Sequence, residues 1–153
     1  MKKREGLLLI LALVLGIFFR FWRLGETPKG FYFDEAALGY NAFSIMKTGR
    51  DEYGMNLPIL FRSFADFKTP IYTYFLVPIY KVLGMSIWST RLLSAVSGVV
   101  IILFGFLIVK KISKNNRLAL LTCLLMAISP WLIMFSRTSY ETNLSLMFLL
   151  VMI

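Results

Sequence analysis

Two adjacent acidic residues, Asp34 and Glu35, are the first candidates for chemistry in this sequence. They follow an aromatic run at 31–33 and precede a segment with the composition of a short helix, which ends at Gly49. A carboxylate at a helix N-terminus is stabilised by free N–H groups and by the helix dipole. The chain has no histidine to act as a base instead. Asp34 is therefore either a general base that takes a proton from an acceptor hydroxyl or amine, or a helix cap beside a solvated Glu35.

Two further charged groups lie later in the chain. Lys68, two residues after Asp66, precedes Pro70 at the predicted start of another helix. A lysine at such a position can bind a lipid phosphate, or it can be one of several basic side chains that extend to the membrane surface. Arg137 and Glu141 are four residues apart in a short link, where they form either an i,i+4 ion pair or, through Arg137, a phosphate contact.

The composition excludes several classes of protein and site. Apolar residues make up 58% of the chain and charged residues 16%, whereas soluble domains are closer to 45–50% and about 25%. Without histidine, and with Cys123 as the only cysteine, the chain has no His-based triad, no internal disulfide and no Cys cluster for a metal. The net charge of +9 lies at the ends of apolar runs, a pattern of membrane topology rather than of nucleic-acid binding. We expect a membrane protein without cofactor, metal or nucleic-acid partner.

Four long apolar runs predict an all-α, polytopic transmembrane protein. A span needs about 20 apolar residues, and the predicted spans are about 6–24, 87–109, 118–136 and 141–153. The first span reaches residue 24 if Arg20 and Arg23 extend their charged ends to the membrane surface. Because the fourth run is still apolar at residue 153, we expect residues 1–153 to be the N-terminal part of a transmembrane domain, inactive by itself.

The positions of basic residues predict the orientation. Residues 2–4 and the link 110–117 are basic, so the positive-inside rule places both in the cytoplasm, with an even number of crossings between them. The apolar stretch 70–85 is therefore predicted to be an amphipathic helix in the membrane interface; the alternative is a third crossing. Residues 25–86 then form a large external loop with two interfacial helices, and they hold six of the eight acids. We expect a multi-pass protein of the plasma (inner) membrane with a cytoplasmic N-terminus.

Four pieces of sequence, in order, carry a resemblance to a known family. They are Phe21-Trp22-Arg23-Leu24; Phe33-Asp34-Glu35-Ala36; Lys68-Thr69-Pro70-Ile71-Tyr72 with Arg91-Leu92-Leu93-Ser94; and Ser129-Pro130-Trp131 through Phe135-Ser136-Arg137 to Tyr140-Glu141 and Leu144. This set resembles the start of a glycosyltransferase of the C superfamily. It is most similar to the dolichyl-phosphate-mannose–protein mannosyltransferase-like enzymes, which include the aminoarabinose lipid A transferases.

The resemblance implies transfer of a sugar from a polyprenyl-phosphate donor to a protein, lipid or glycan acceptor at the outer membrane face. The implied site residues are Asp34 and Glu35 as the catalytic acids, Lys68 and Arg137 at the donor phosphate, and Asp66 and Glu141 in support. A non-enzymatic transporter or flippase, or a structural membrane subunit, is the alternative, and it would place charged or broken-helix residues in mid-bilayer. The acids of this chain cluster in the predicted external loop instead, which favours an interfacial enzyme.

Overall fold

The computed structural model describes residues 3–63 and 66–153, and these residues are mostly α-helical. Their elements are α1 (Lys3–Phe21), α2 (Phe33–Thr48), β1 (Phe61–Ser63), β2 (Asp66–Lys68), α3 (Pro70–Leu83), α4 (Ile87–Ser113), α5 (Asn116–Ile128), α6 (Pro130–Ser136) and α7 (Glu141–Met152). The predicted helical class is confirmed in this coarse sense. The short hairpin β1–β2 was not predicted.

Helix α4 is well suited to cross a membrane. Its 27 residues rise about 40 Å at 1.5 Å each, which exceeds the hydrocarbon thickness of about 30 Å. Within the described residues it is the one continuous helix that is long and apolar enough to span, and α5 with α6 would provide a second span as a bent pair. Helix α1 carries charges at both ends and α7 has 12 residues. The multi-pass topology therefore remains a prediction.

The run predicted as one span at 118–136 is two helices, α5 and α6, bent by 59°. Pro130 has no N–H group, so it cannot donate to the carbonyl of Met126 four residues earlier. Arg20 replaces that donor: Nη2 lies 3.3 Å from the Met126 oxygen, and Nη1 lies 3.3 Å from the Ala127 oxygen. The prediction that Arg20 extends to the membrane surface is wrong, because its side chain is fully buried at the helix break.

One apolar cluster joins α1, α4 and α5. Its buried members are Ala12, Ile102, Phe106, Ala119, Cys123 and Ala127. The helices approach closely at Gly16, where an added Cβ would lie 2.7 Å from Ile102 Cδ1. Small residues at such a contact allow helix backbones to pack at short range.

A second apolar cluster joins α2 and α3 to α7. Its buried members are Leu38, Ala42, Tyr72, Leu76, Tyr80 and Leu144. Two predicted helix boundaries are confirmed: α2 ends at Gly49 in the left-handed conformation (φ 72°), and α3 follows Thr69 with Pro70 as its first residue. The segment 25–86 thus contains two helices as predicted, and their position at a membrane surface stays a prediction.

The register of the hairpin determines which side chains face α2. Phe61 pairs with Lys68 and Ser63 pairs with Asp66. Residues directly opposite each other in an antiparallel pair project to the same face, so these four share one face. Phe61 and Ser63 are buried while Arg62 between them is exposed. The β1 side of this face therefore packs inward, Asp66 at its edge is exposed, and the same face carries Lys68 to the first turn of α2.

Candidate active site

Asp34 and Lys68 form an ion pair where α2 meets the hairpin. Lys68 Nζ lies 3.0 Å from Asp34 Oδ1 and 3.2 Å from Asp66 Oδ2. The side chains of Lys68 and Asp34 are 17% and 40% exposed, so a substrate can reach both. The hydrogen bond to Asp34 raises the pKa of Lys68, against the opposing effect of partial burial, and Asp66 adds to the increase. The structure thus brings three of the predicted site residues together around a stable cation.

Asp34 is the second residue of α2, and Tyr32 holds the N-cap position. The interpretation of Asp34 as the helix cap is therefore wrong. Its carboxylate lies in the first turn, where the helix dipole favours negative charge, and its hydrogen-bonding partner is the side chain of Lys68. The Asp34 carboxylate is therefore not engaged in a capping hydrogen bond to the backbone N–H groups of α2.

Glu35 is fully buried, so the interpretation of this residue as solvated is wrong. Its Oε1 accepts hydrogen bonds from Arg91 Nε and from the Ser139 backbone N–H, each at 2.9 Å. Its Oε2 accepts from Arg91 Nη2 at 2.9 Å and from the Tyr32 backbone N–H at 3.2 Å. Burial by itself raises the pKa of Glu35, but these hydrogen bonds and the Arg91 charge outweigh it and hold the pKa below its ordinary value.

Two buried arginines hold the segment that connects α1 to α2. Besides Glu35, Arg91 donates to the carbonyls of Leu24, Pro28 and Gly30 at 2.8–3.3 Å. The terminal nitrogens of Arg137 donate to the carbonyls of Phe19, Trp22 and Thr27 at 2.6–2.8 Å. Within the described part of the chain, Arg137 and Glu141 form no ion pair, so the i,i+4 interpretation is wrong.

Glu141 begins α7 and borders a small cavity of about 80 Å³ with Thr69, the residue after Lys68. Its Oε1 is buried and has no hydrogen-bond partner among residues 3–63 and 66–153. Over the same residues, no three His, Cys, Asp or Glu side chains are grouped as metal ligands would be. Asp34 and Asp66 share Lys68, Glu35 is paired with Arg91, and Glu141 is hydrogen-bonded to Thr69.

Two open grooves lie beside these charges, and the sequence did not predict either of them. The aromatic groove, with a volume of about 340 Å³, is lined by Phe33, Ala36, Ala37, Tyr40, Glu52, Tyr53 and Ser63. The apolar groove, of about 440 Å³, is lined by Phe19, Thr27, Pro28, Ile128, Pro130, Ile133, Met134 and Arg137. The sequence also did not identify the two residues that bind Glu35. These are Arg91 and Ser139, which lie 56 and 104 residues further along the chain.

A family model described as dolichyl-phosphate-mannose-protein mannosyltransferase matches residues 67–153 of the chain. The chain belongs to this family. The resemblance found in its motifs is thereby confirmed at the level of the C-superfamily mannosyltransferases. No curated protein and no solved structure matches the chain.

Membership in the mannosyltransferase family indicates a membrane-embedded glycosyltransferase that uses a lipid-linked sugar donor. The matched region contains Lys68, Arg91 and Ser139 and begins after Asp34 and Glu35. Both acids nevertheless contact it directly, Asp34 through Lys68 and Glu35 through Arg91 and Ser139. The first turn of α2 is therefore attached to the region that carries the family match.

Proposed function

We propose that the protein transfers a sugar from a polyprenyl-phosphate donor to an acceptor at the outer membrane face, with Asp34 as the general base. The observation that carries this proposal is the 3.0 Å contact between Asp34 Oδ1 and Lys68 Nζ. It pairs a group able to accept a proton with a cation able to bind phosphate, and both are accessible. Family membership supplies the class of reaction.

In the proposed reaction, the acceptor oxygen or nitrogen attacks the anomeric carbon of the donor sugar. The bond between that carbon and the phosphate oxygen breaks, and its electron pair leaves with the phosphate. The proton of the acceptor passes to Asp34. Lys68 contacts the departing phosphate, where the negative charge increases during the reaction, and stabilises it electrostatically. Because hydrogen bonding to carboxylates raises the pKa of Lys68, the residue remains a cation at neutral pH.

The other predicted residues have supporting places in this proposal. Glu35 is a positioning residue, because both of its oxygens are bonded to Arg91 and to backbone N–H groups that orient the first turn of α2. Asp66 is the second carboxylate that contacts Lys68, with 3.2 Å between Oδ2 and Nζ, and it helps to hold the lysine in place. Glu141 keeps an acceptor oxygen in the cavity next to Thr69.

Arg137 is proposed to act at the lipid part of the donor. It borders the apolar groove, whose other lining side chains include Phe19, Ile133 and Met134. The apolar groove can take the polyprenyl chain of the donor, and the Arg137 cation beside it can bind the donor phosphate near the membrane surface. The hydrogen bonds from its guanidinium to backbone carbonyls also fix the end of α1, so Arg137 connects the groove to the segment before α2.

The proposal is tested with the full-length protein in membrane vesicles supplied with labelled polyprenyl-phosphate hexoses. Release of free polyprenyl phosphate is measured for wild type, Asp34→Asn and the exposed-acid control Glu26→Gln. We expect Asp34→Asn to reduce turnover by about 10²–10⁴-fold, the usual contribution of a general base, and Glu26→Gln to have little effect.

Lys68→Arg and Lys68→Met separate charge from shape in the same assay. The arginine variant is expected to retain more turnover than the methionine variant, because a cation stays near the leaving phosphate. Unchanged turnover in Asp34→Asn would remove Asp34 from the role of base. Movement of the lipid-linked sugar across the vesicle without release of polyprenyl phosphate would support a flippase and contradict the proposal.

A further inference from the structure

The aromatic groove has a preorganised lining, and it lies next to the Asp34–Lys68 pair without including it. Its floor is one face of α2, whose residues 33, 36, 37 and 40 recur at helical spacing. Asp34 directly follows the first of these residues and lies one turn before Ala37. Asp34 is not itself a lining residue, so a ligand must extend beyond the groove along the first turn of α2 to meet its carboxylate. The volume of about 340 Å³ is within the range of small-molecule sites.

The wall opposite α2 is held in place by specific hydrogen bonds. Asn41 Nδ2 donates to Glu52 Oε1 at 2.9 Å, and the Glu52 backbone N–H donates to Asn41 Oδ1 at 3.1 Å. Asp51 Oδ1 accepts from the backbone N–H groups of Tyr53 and Met55. These bonds fix the turn that presents Tyr53 to the groove, so its ring and the Glu52 carboxylate are preorganised.

Ser63 supplies the observation that points to a ligand. Ser63 lines the groove and is only 3% exposed. Its hydroxyl has no hydrogen-bond partner among the described residues. A buried hydroxyl without a partner is unfavourable, so a small shift of the side chain that opens the hydroxyl to the groove would let a ligand hydroxyl bond to it and gain binding energy. Glu52 adds a carboxylate with further capacity to accept hydrogen bonds.

The lining also indicates what kind of ligand the groove would bind. Aromatic faces carry partial negative charge and attract the C–H groups on the flat face of a sugar ring. The carboxylate and the hydroxyl suit the hydroxyl groups at the edge of such a ring. None of the lining residues is cationic; the Arg62 guanidinium lies 5.3 Å from the centre of the Tyr53 ring and leaves the other face of that ring for a ligand.

We propose that the aromatic groove binds a sugar unit of the acceptor, which makes the acceptor a glycan-bearing molecule. This inference rests on the proposed function, because it names the acceptor of the same transfer. Tyr40 and Tyr53 contact the faces of the ring, and Ser63 and Glu52 bond to its hydroxyl groups. One free hydroxyl of the bound sugar is then presented to Asp34, which takes its proton as the new glycosidic bond forms.

The test measures binding without a donor, so that it does not depend on catalysis. Full-length protein in detergent is titrated with neutral mannose- and glucose-based oligosaccharides, followed by saturation-transfer NMR and calorimetry. We expect Tyr53→Ala and Tyr40→Ala each to weaken binding about tenfold, as loss of a stacked ring does, and Ser63→Ala to weaken it less. Phe67→Ala is the matched control, because this aromatic side chain is 63% exposed on the outer face of the hairpin.

The outcomes separate this inference from the proposed function. Asp34→Asn should keep the oligosaccharide affinity while losing turnover. Oligosaccharide binding that is equal in wild type and the tyrosine variants would overturn the inference, as would absence of saturable binding in wild type. Tyrosine-dependent binding of a serine- and threonine-rich peptide instead would show a protein acceptor and also overturn it. Sugar binding without any release of polyprenyl phosphate would contradict the transfer and, with it, the assignment of the groove to an acceptor.

Discussion

Arg91 donates two hydrogen bonds to the carboxylate of Glu35, from Nε to Oε1 and from Nη2 to Oε2, each 2.9 Å long. Neither side chain is exposed. The pair connects the first turn of α2 to the first turns of α4, and the remaining Arg91 donors hold the carbonyls of the segment before α2. The residue next to Glu35 is Asp34, so this buried pair determines where the proposed base lies.

Removal of one partner of this pair should be strongly destabilising. Arg91→Met leaves the Glu35 carboxylate buried without its counter-charge, which typically costs about 3–5 kcal/mol. Thermal unfolding in detergent should therefore show a large fall in midpoint for Arg91→Met and for Glu35→Met. Arg23→Met breaks the exposed Arg23–Glu26 pair and serves as the control, with a much smaller effect.

The double variant Arg91→Met/Glu35→Met completes a double-mutant cycle with the two single variants. It should lose less stability than the sum of the two single variants, since no unpaired charge remains buried. Strictly additive losses would contradict a direct coupling between these two residues.

The same pair should make the protein sensitive to acid. The pKa of Glu35 in the folded state is below its ordinary value of 4.5, so the unfolded state takes up this proton more readily. The contribution of Glu35 to stability is present above the unfolded value and is lost as the pH falls through the folded value. The unfolding midpoint of wild type should exceed that of Glu35→Gln most at neutral pH, and the difference should shrink below pH 4.5. A difference that is constant across the acid range would contradict this assignment.

Arg20 and Pro130 should be energetically coupled. Arg20→Met leaves the carbonyls of Met126 and Ala127 without their side-chain donor, and each buried unsatisfied group costs about 1–3 kcal/mol. Pro130→Ala restores a backbone N–H that can bond to Met126, so it should recover part of the stability lost in Arg20→Met. The measurement is the unfolding midpoint in detergent of both single variants and the double variant.

The exposed residue Arg117 at the start of α5 offers the control for this cycle. Arg117→Met removes a positive charge from α5 without removing a donor from the break, so its midpoint should stay close to that of wild type. Equal destabilisation by Arg20→Met and Arg117→Met would show that charge, rather than hydrogen bonding at the break, is responsible.

The predicted orientation can be tested by labelling single cysteines. With Cys123 replaced by alanine, cysteines are introduced at Lys29 and at Lys111, both of which are exposed. A thiol reagent that does not cross the membrane should label Lys29→Cys in intact cells and Lys111→Cys only after permeabilisation. Labelling of both sites from outside would contradict the even number of crossings between the two basic segments.

Local chemistry was sufficient to predict where α2 ends and where α3 begins. A glycine in the left-handed conformation ends α2 at Gly49, and the Thr69-Pro70 pair begins α3. These signals act within a turn of the helix, so they are readable without knowledge of distant residues. The apolar runs likewise predicted the helices α4 to α7, although not the bend at Pro130.

The hairpin could not be predicted in the same way. Its strands have three residues each, too few for an alternating pattern to be recognised. Its pairing sets the register that turns Lys68 toward α2, so the Asp34–Lys68 contact depends on it. The residue types at this site were therefore visible in the sequence, and their meeting was not.

The amino-acid sequence alone thus established the helical class, the family and the residue types of the candidate site. Only tertiary packing decided the partner of each charge: Asp34 with Lys68, Glu35 with Arg91, and Arg20 with the break between α5 and α6. The physical reason is that composition and caps act locally. The pairing of a buried charge depends on which distant backbone and side-chain groups arrive beside it when the helices pack.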